Sequence, residues 1–275
     1  MFSDLGLGDL SGAVVLIVHA HPDDEVFATG AATIATRAAG ARTHLRIFTG
    51  GEGRNSPLTP AGLANARRAK EKRLAVSTEL LGIDTWGYLT EPGHWTDTPH
   101  ATARTISAAD PADLAVPVIT ALEALRPDIV LTVGPDGLTG HPDHIACHDA
   151  VAHALAAAAH HPRAALGAVL DRRSVTSAIE TARAVTGHPI GSGRVTGVAI
   201  NRSVITITGP RGTTDRRRRA LDAYAPRLGT GGVNTELMGT GDSVLLRFVL
   251  DAAGWAQDRF APLTPGRPGR PEAVS

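Results

Sequence analysis

Cysteine is almost missing from this 275-residue chain: Cys147 is the only one, so no disulfide can close within it and no cysteine-rich metal site can form. Lysine is nearly as scarce, at Lys70 and Lys72 alone, and arginine carries the rest of the positive charge. With the abundant alanine and glycine this reads as the codon bias of a GC-rich genome, without functional meaning. Neither sign of charge is in excess: 27 basic residues face 27 acidic ones, which removes any global drive towards nucleic acid or an anionic membrane. No apolar run approaches the ~20 residues that span a bilayer, and the opening Met1-Phe2-Ser3-Asp4 lacks the basic region of a signal peptide. The expected location is the cytoplasm. The expected partners are a small-molecule substrate and water, with no nucleic acid and no membrane.

What is present is a succession of strand and helix patterns. Ala13 to His19 is short, β-branched and apolar, as a buried strand must be. A helix is expected over about 25–39, stopping at Gly40, and a second strand over 43–49. The loop from Gly50 to Asn55 is glycine-rich, which suits a backbone that approaches something closely. Residues 61–81 read as a long amphipathic helix with a basic face at Arg67, Arg68, Lys70, Lys72 and Arg73. A short strand at 84–90 follows, then an irregular segment over 91–113, a length that usually marks a functional lid or a surface excursion. A helix over 117–125, a buried strand over 128–133 and a helix running to about His160 complete the first part. This βαβα order implies a parallel sheet with helices on both faces.

The pattern loosens after Pro162. Expected there are a helix over 171–183, strands over 195–200 and 203–208, an arginine-rich helix over 214–224 and a final strand over 243–250. Residues 1–262 are read as one domain. The proline-rich 263–275 is read as a mobile tail.

Two short clusters stand out. His21-Pro22-Asp23-Asp24-Glu25 follows the first strand, and His141-Pro142-Asp143-His144 follows the strand at 128–133. The acidic residues of the first cluster could be helix-start charges favoured by the helix dipole. Burying so much negative charge without a cation is costly, however, and imidazole with carboxylate suits zinc. His21 and Asp24 are three apart, as are His141 and His144, so each pair can face one way from a first helical turn. Both clusters open a helix at the same edge of one sheet. A catalytic zinc keeps three protein ligands and one open position; His21, Asp24 and His144 are the expected ligands. Asp23 is then left as a base for water, and His141 as a hydrogen-bonding partner for an oxyanion or a proton donor to the leaving amine. Asp136 and Asp143 either orient the imidazoles or cap helices. His148, one turn after His144, is a competing ligand or a packed residue. His19 is read as packed or as a support for the ligands behind them, and Cys147 as packed.

Ala20-His21-Pro22-Asp23-Asp24-Glu25 and Gly140-His141-Pro142-Asp143-His144, together with Thr49-Gly50-Gly51-Glu52, resemble the signatures of the LmbE/PIG-L-like de-N-acetylases over about residues 13–160. The resemblance implies a Rossmann-like α/β fold with a C-terminal β/α portion and a zinc-dependent hydrolase of N-acetylglucosaminyl substrates. It also implies zinc on His21, Asp24 and His144, Asp23 as general base, and His141 as electrostatic partner. Residues 218–226 look like a weaker family helix. Among these enzymes the chain most resembles the deacetylases of glycopeptide-antibiotic biosynthesis, of the teicoplanin and A40926 type, which act on an N-acetylglucosaminyl pseudoaglycone. It departs from members acting on small thiol-sugar precursors in having Thr139 where they carry Tyr. Glu91 and Asp97 are candidates for a sugar-gripping carboxylate. The residues expected at the substrate are Glu52, Arg68, Trp95 and Asp97, with a solvated helix face as the other reading for Arg68. Rival readings are a deacetylase of a small thiol-sugar precursor and a non-catalytic sugar- or nucleotide-binding module. The nucleotide reading needs a glycine-rich phosphate turn after the first strand, where this chain has His-Pro-Asp-Asp-Glu.

Overall fold

Every residue from Val14 to His19 is buried, and this run is β1 (Val14–His19), the inner strand on which the sheet is built. The computed structural model describes residues 9–53, 57–98, 102 and 104–263. After β1 come α1 (Asp24–Phe27), α2 (Gly30–Ala38), β2 (Arg42–Ile47), α3 (Pro60–Leu81) and β3 (Thr85–Tyr88). Then follow α4 (Pro111–Leu125), β4 (Ile129–Val133), α5 (Gly137–Gly140), α6 (Pro142–Ala157) and β5 (Ala164–Val169). The chain ends in α7 (Arg172–Thr186), β6 (Ile205–Thr208), α8 (Thr213–Tyr224), α9 (Thr235–Met238), α10 (Asp242–Ala253) and β7 (Gln257–Pro262).

All seven strands join one sheet in the order β3-β2-β1-β4-β5-β7-β6. The first five are mutually parallel, with Val15 opposite Thr43 on one side and Ile129 on the other. β7 runs antiparallel to both β5 and β6. The fold is thus α/β and Rossmann-like, and successive residues of β1 serve two cores. Val15 and Ile17 pack on the face covered by α2, α3, α8 and α10, while Leu16 and Val18 pack on the face covered by α4 and α6. Among the described residues no helix is long and apolar enough to cross a membrane.

Local signals account for most boundaries. Thr59 accepts a hydrogen bond from the Gly62 amide, Pro60 opens α3, and Gly82 closes it at φ 81°. Elsewhere tertiary packing overrides them. The helix expected from 117 starts at Pro111 instead, capped by Asp110, and runs through Pro117. Its buried stripe of Leu114, Ala115, Val118 and Leu122 continues across the proline and outweighs the lost backbone bond.

The strand expected over 243–250 is a helix, α10. A short apolar run does not separate strand from buried helix, and the helix here extends twelve residues from Asp242 to Ala253. The strand expected over 195–200 is a single bridge between Asp171 and Val198. β5 and β7 were not expected at all. β5 is Ala-Ala-Leu-Gly-Ala-Val, too poor in β-branched residues to read as a strand, yet small residues are what its place demands. A Cβ on Gly167 would lie 3.0 Å from the Gly134 Cα. The helix expected over 25–39 is broken at Ala28–Thr29. The expected tail lies, apart from Leu263, outside the described residues, as does Arg54-Asn55 of the glycine-rich loop.

Candidate metal centre

Strand order reverses between β1 and β4, and an open α/β sheet offers its crevice at such a switch point, beyond the carboxyl ends of the strands. The His21 segment leaves β1 there. The His141 segment leaves β4 there after the short turn of α5. Gly137 makes that turn possible: its φ is 60°, and a Cβ on it would sit 2.9 Å from the His144 Cβ.

The two segments meet, though they lie more than a hundred residues apart in sequence. His144 Nε2 is 3.1 Å from Asp24 Oδ1, His21 Nδ1 is 3.2 Å from His144 Nε2, and His21 Nδ1 is 3.8 Å from Asp24 Oδ2. All three residues are buried. Their second contacts fix how the rings are protonated. The His144 Nδ1–H donates to the Gly137 carbonyl at 2.9 Å, and the His21 Nε2–H donates to Asp143 Oδ2 at 3.3 Å. The two remaining ring nitrogens face each other beside a carboxylate oxygen, and this arrangement needs a proton or a metal cation between them. Donors about 2.0–2.1 Å from a tetrahedral zinc stand about 3.3–3.4 Å from one another, close to the spacing here. The electrostatics agree. Burial opposes a charge on His21, but Asp97, Asp143 and Asp24 outweigh it and lift its pKa to about 10. Burial likewise opposes the Asp24 carboxylate, yet His144 and His21 hold its pKa far below the usual range. The buried group favours positive charge among its three donors, and a divalent cation fits it.

Asp23 and His141 flank the group. Asp23 has φ 106° and ψ −24°, a conformation only glycine adopts freely. Its carboxylate lies 3.3 Å from Lys70 Nζ. Burial raises the Asp23 pKa, with Lys70 pulling the other way. His141 Nδ1 accepts the Asp143 amide at 3.2 Å, so its proton sits on Nε2. Burial, reinforced by His21 and His144, lowers its pKa to about 4, and it is a neutral donor. The cavity over these residues holds about 170 Å³, and its walls include Lys70, Asp97, Thr139 and Leu246. A larger open groove of about 870 Å³ lies beside Arg173 and Arg259, and none of the ligand-type residues above line it.

The other expected residues fall in different places. Asp97 lines the cavity. Glu52 is buried, accepts the Asp97 amide at 3.1 Å and lies 3.8 Å from Arg67, tying two loops together behind the cavity. Arg68 is exposed on α3 and bonds Asn65. Trp95 is half-buried against the core of α4 and α6, edge-on to His94. Asp143 orients His21, whereas Asp136 caps α5 through the Leu138 amide. His148 donates to the Val133 carbonyl at 2.9 Å and stands outside the three-residue group. Sequence reading missed Lys70, which it took for part of a basic helix face, and Leu246, which it put on a strand.

Residues 16–155 match the family described as PIG-L, GlcNAc-PI de-N-acetylase. The chain belongs to the PIG-L family. The matched stretch carries both His-Pro-Asp segments. Among PIG-L relatives, the 1D-myo-inositol 2-acetamido-2-deoxy-alpha-D-glucopyranoside deacetylase of Kineococcus radiotolerans is 37% identical over 166 residues, 53% of this chain and 45% of that one. The protein of the same name from Rhodococcus opacus is 31% identical over 248 residues, 81% of this chain and 84% of that one. For several such relatives the match spans only 45–65% of their length. The solved zinc-inhibited form of teicoplanin deacetylase superposes with a TM-score of 0.61 over 92% of this chain and 99% of that one, at 15% identity, a likeness of fold alone.

Proposed function

We propose that this PIG-L protein is a zinc-dependent hydrolase that removes the acetyl group from an N-acetylglucosaminyl substrate, releasing acetate and a free amine. One observation carries the reading: two imidazole nitrogens and a carboxylate oxygen meet within 3.1–3.8 Å on the floor of a cavity, with a second carboxylate beside them. His21, Asp24 and His144 would hold the ion. Bound there, zinc supplies Lewis acidity to an amide carbonyl and makes water acidic near neutral pH. The remaining work falls to side chains. Asp23, whose basicity burial raises, takes the proton of the attacking water and passes it to the departing amine. Lys70 holds that carboxylate in place. The His141 Nε2–H donates to the oxyanion of the tetrahedral intermediate. Asp97, on the cavity wall, accepts from sugar hydroxyls.

For the rest of the substrate we infer a small glycoside ahead of the glycopeptide pseudoaglycone. The relatives that are 31–37% identical are named for an inositol glycoside. The test is mass spectrometry of zinc-loaded protein with a panel of N-acetylglucosaminyl compounds, including the inositol glycoside and a pseudoaglycone. Loss of one acetyl group from the inositol glycoside is expected. Turnover of the pseudoaglycone alone would overturn the substrate, and binding without acetate release from any compound would leave a sugar-binding module.

A further inference from the structure

All five N–H donors of one buried guanidinium are used next to the metal centre. Arg217, on α8, is fully buried. Its Nε donates to the Val26 carbonyl at 2.7 Å, and its Nη2 to the Phe27 carbonyl at 2.8 Å and to Asp258 Oδ1 at 2.7 Å. Its Nη1 donates to the carbonyls of Trp255 and Gln257 at 3.1 and 3.2 Å. The other oxygen of Asp258 accepts the Ala32 amide at 2.8 Å. The ion pair therefore stands in the break between α1 and α2, where Arg217 takes the last carbonyls of α1 and Asp258 takes an early amide of α2. Seven residues along α8, on the same face, Tyr224 donates its hydroxyl to Glu25 Oε1 at 2.7 Å, beside Ser77 at 2.6 Å. The second Glu25 oxygen accepts the Asp23 amide at 2.9 Å.

We propose that α8 is the positioning element of the first ligand segment: Arg217 holds α1 and with it Asp24, and Tyr224, acting through Glu25, holds Asp23 in its left-handed conformation. The inference rests on reading Asp24 as a metal ligand and Asp23 as the base. The ion pair itself adds little stability, since apolar residues of similar volume in place of a buried pair often leave a protein as stable; the guanidinium also supplies donors to four carbonyls. What the guanidinium supplies and an apolar group lacks is direction. Its fork meets two successive carbonyls, two and three residues past Asp24, and ends α1 there. Asp23 needs such support, since its φ of 106° is one that an aspartate does not hold unaided.

Two variants test it against a control. Tyr224→Phe removes one donor to Glu25 without emptying space. Its kcat for acetate release is expected to fall about 10-fold, with KM and zinc affinity, read by competition with a chromophoric chelator, as in wild type. Arg217→Lys keeps the charge opposite Asp258 but loses the fork, and is expected to bind zinc about 10-fold more weakly. Val175→Ala, buried on α7, lowers the melting temperature and is expected to leave zinc affinity unchanged. Wild-type kcat in Tyr224→Phe overturns the proposal, as does zinc binding that falls in Val175→Ala in step with Arg217→Lys. Should Arg217→Lys fail to fold, the kcat–KM split of Tyr224→Phe decides. A wild-type protein that takes up no zinc would end the metal reading itself, and that failure shows before any variant is made.

Discussion

His144→Ala is the sharpest probe of the metal centre, because the structure separates what the side chain does for folding from what it does for a cation. A ligand that binds only the native state stabilises it by about 2.7 kcal/mol at a free concentration of a hundred times Kd. In a chain of this size each kcal/mol moves the melting temperature by roughly 2–4 °C, so zinc should raise the wild-type Tm by about 5–11 °C. His144→Ala has its own cost without metal, since the buried Gly137 carbonyl loses its donor at 2.9 Å, worth about 1–3 kcal/mol. The informative quantity is therefore the zinc-induced difference and not the absolute Tm. In His144→Ala two ligands remain, and the zinc-dependent rise should largely vanish. In His148→Ala it should persist in full, because that ring is turned to the Val133 carbonyl. Differential scanning calorimetry, with zinc buffered by a chelator, measures all three proteins. A rise in His144→Ala equal to that of wild type, or its loss in His148→Ala instead, would refute the assignment.

Asp23→Asn should take up zinc normally yet lose roughly 100-fold or more in acetate release; the change is isosteric and keeps the backbone bond to Glu25, so folding should not confound the assay. Full turnover with normal zinc content would remove the base role. Cys147 is fully buried and burial pushes its thiol pKa up, so native protein should ignore a thiol reagent at pH 8 and urea-unfolded protein should react with one equivalent. Leu131→Ala empties a fully buried position on β4 and should cost about 2–5 kcal/mol in urea unfolding; a loss below 1 kcal/mol would mean that this core relaxes freely.

The candidate site was legible because each half of it is a local pattern. His21, Asp24, His141 and His144 lie within four-residue stretches at strand-to-helix junctions, and strand order alone brings such junctions to one edge of a parallel sheet. The walls of the cavity were not legible. Lys70 sits among arginines on α3 and looked solvated, but α3 turns part of that face inward: Lys70 reaches Asp23, Arg67 reaches Glu52 and Arg73 reaches the Tyr224 carbonyl. Leu246 was lost with the misread α10, whose buried stretch Val244–Leu250 is short and interrupted only by Arg247, so it reads as a strand as readily as a helix.

Short-range chemistry along the chain was enough to establish the parallel α/β core, the lone buried cysteine and the four residues that face one another across the switch point. Folding alone settled the rest. The break between α1 and α2 depends on Arg217, 190 residues from the Phe27 carbonyl that it holds, and on Asp258, 226 residues from the Ala32 amide. Partners at that separation leave no periodicity in a sequence. Such contacts form only once the fold has brought the end of α1 and the start of β7 against α8.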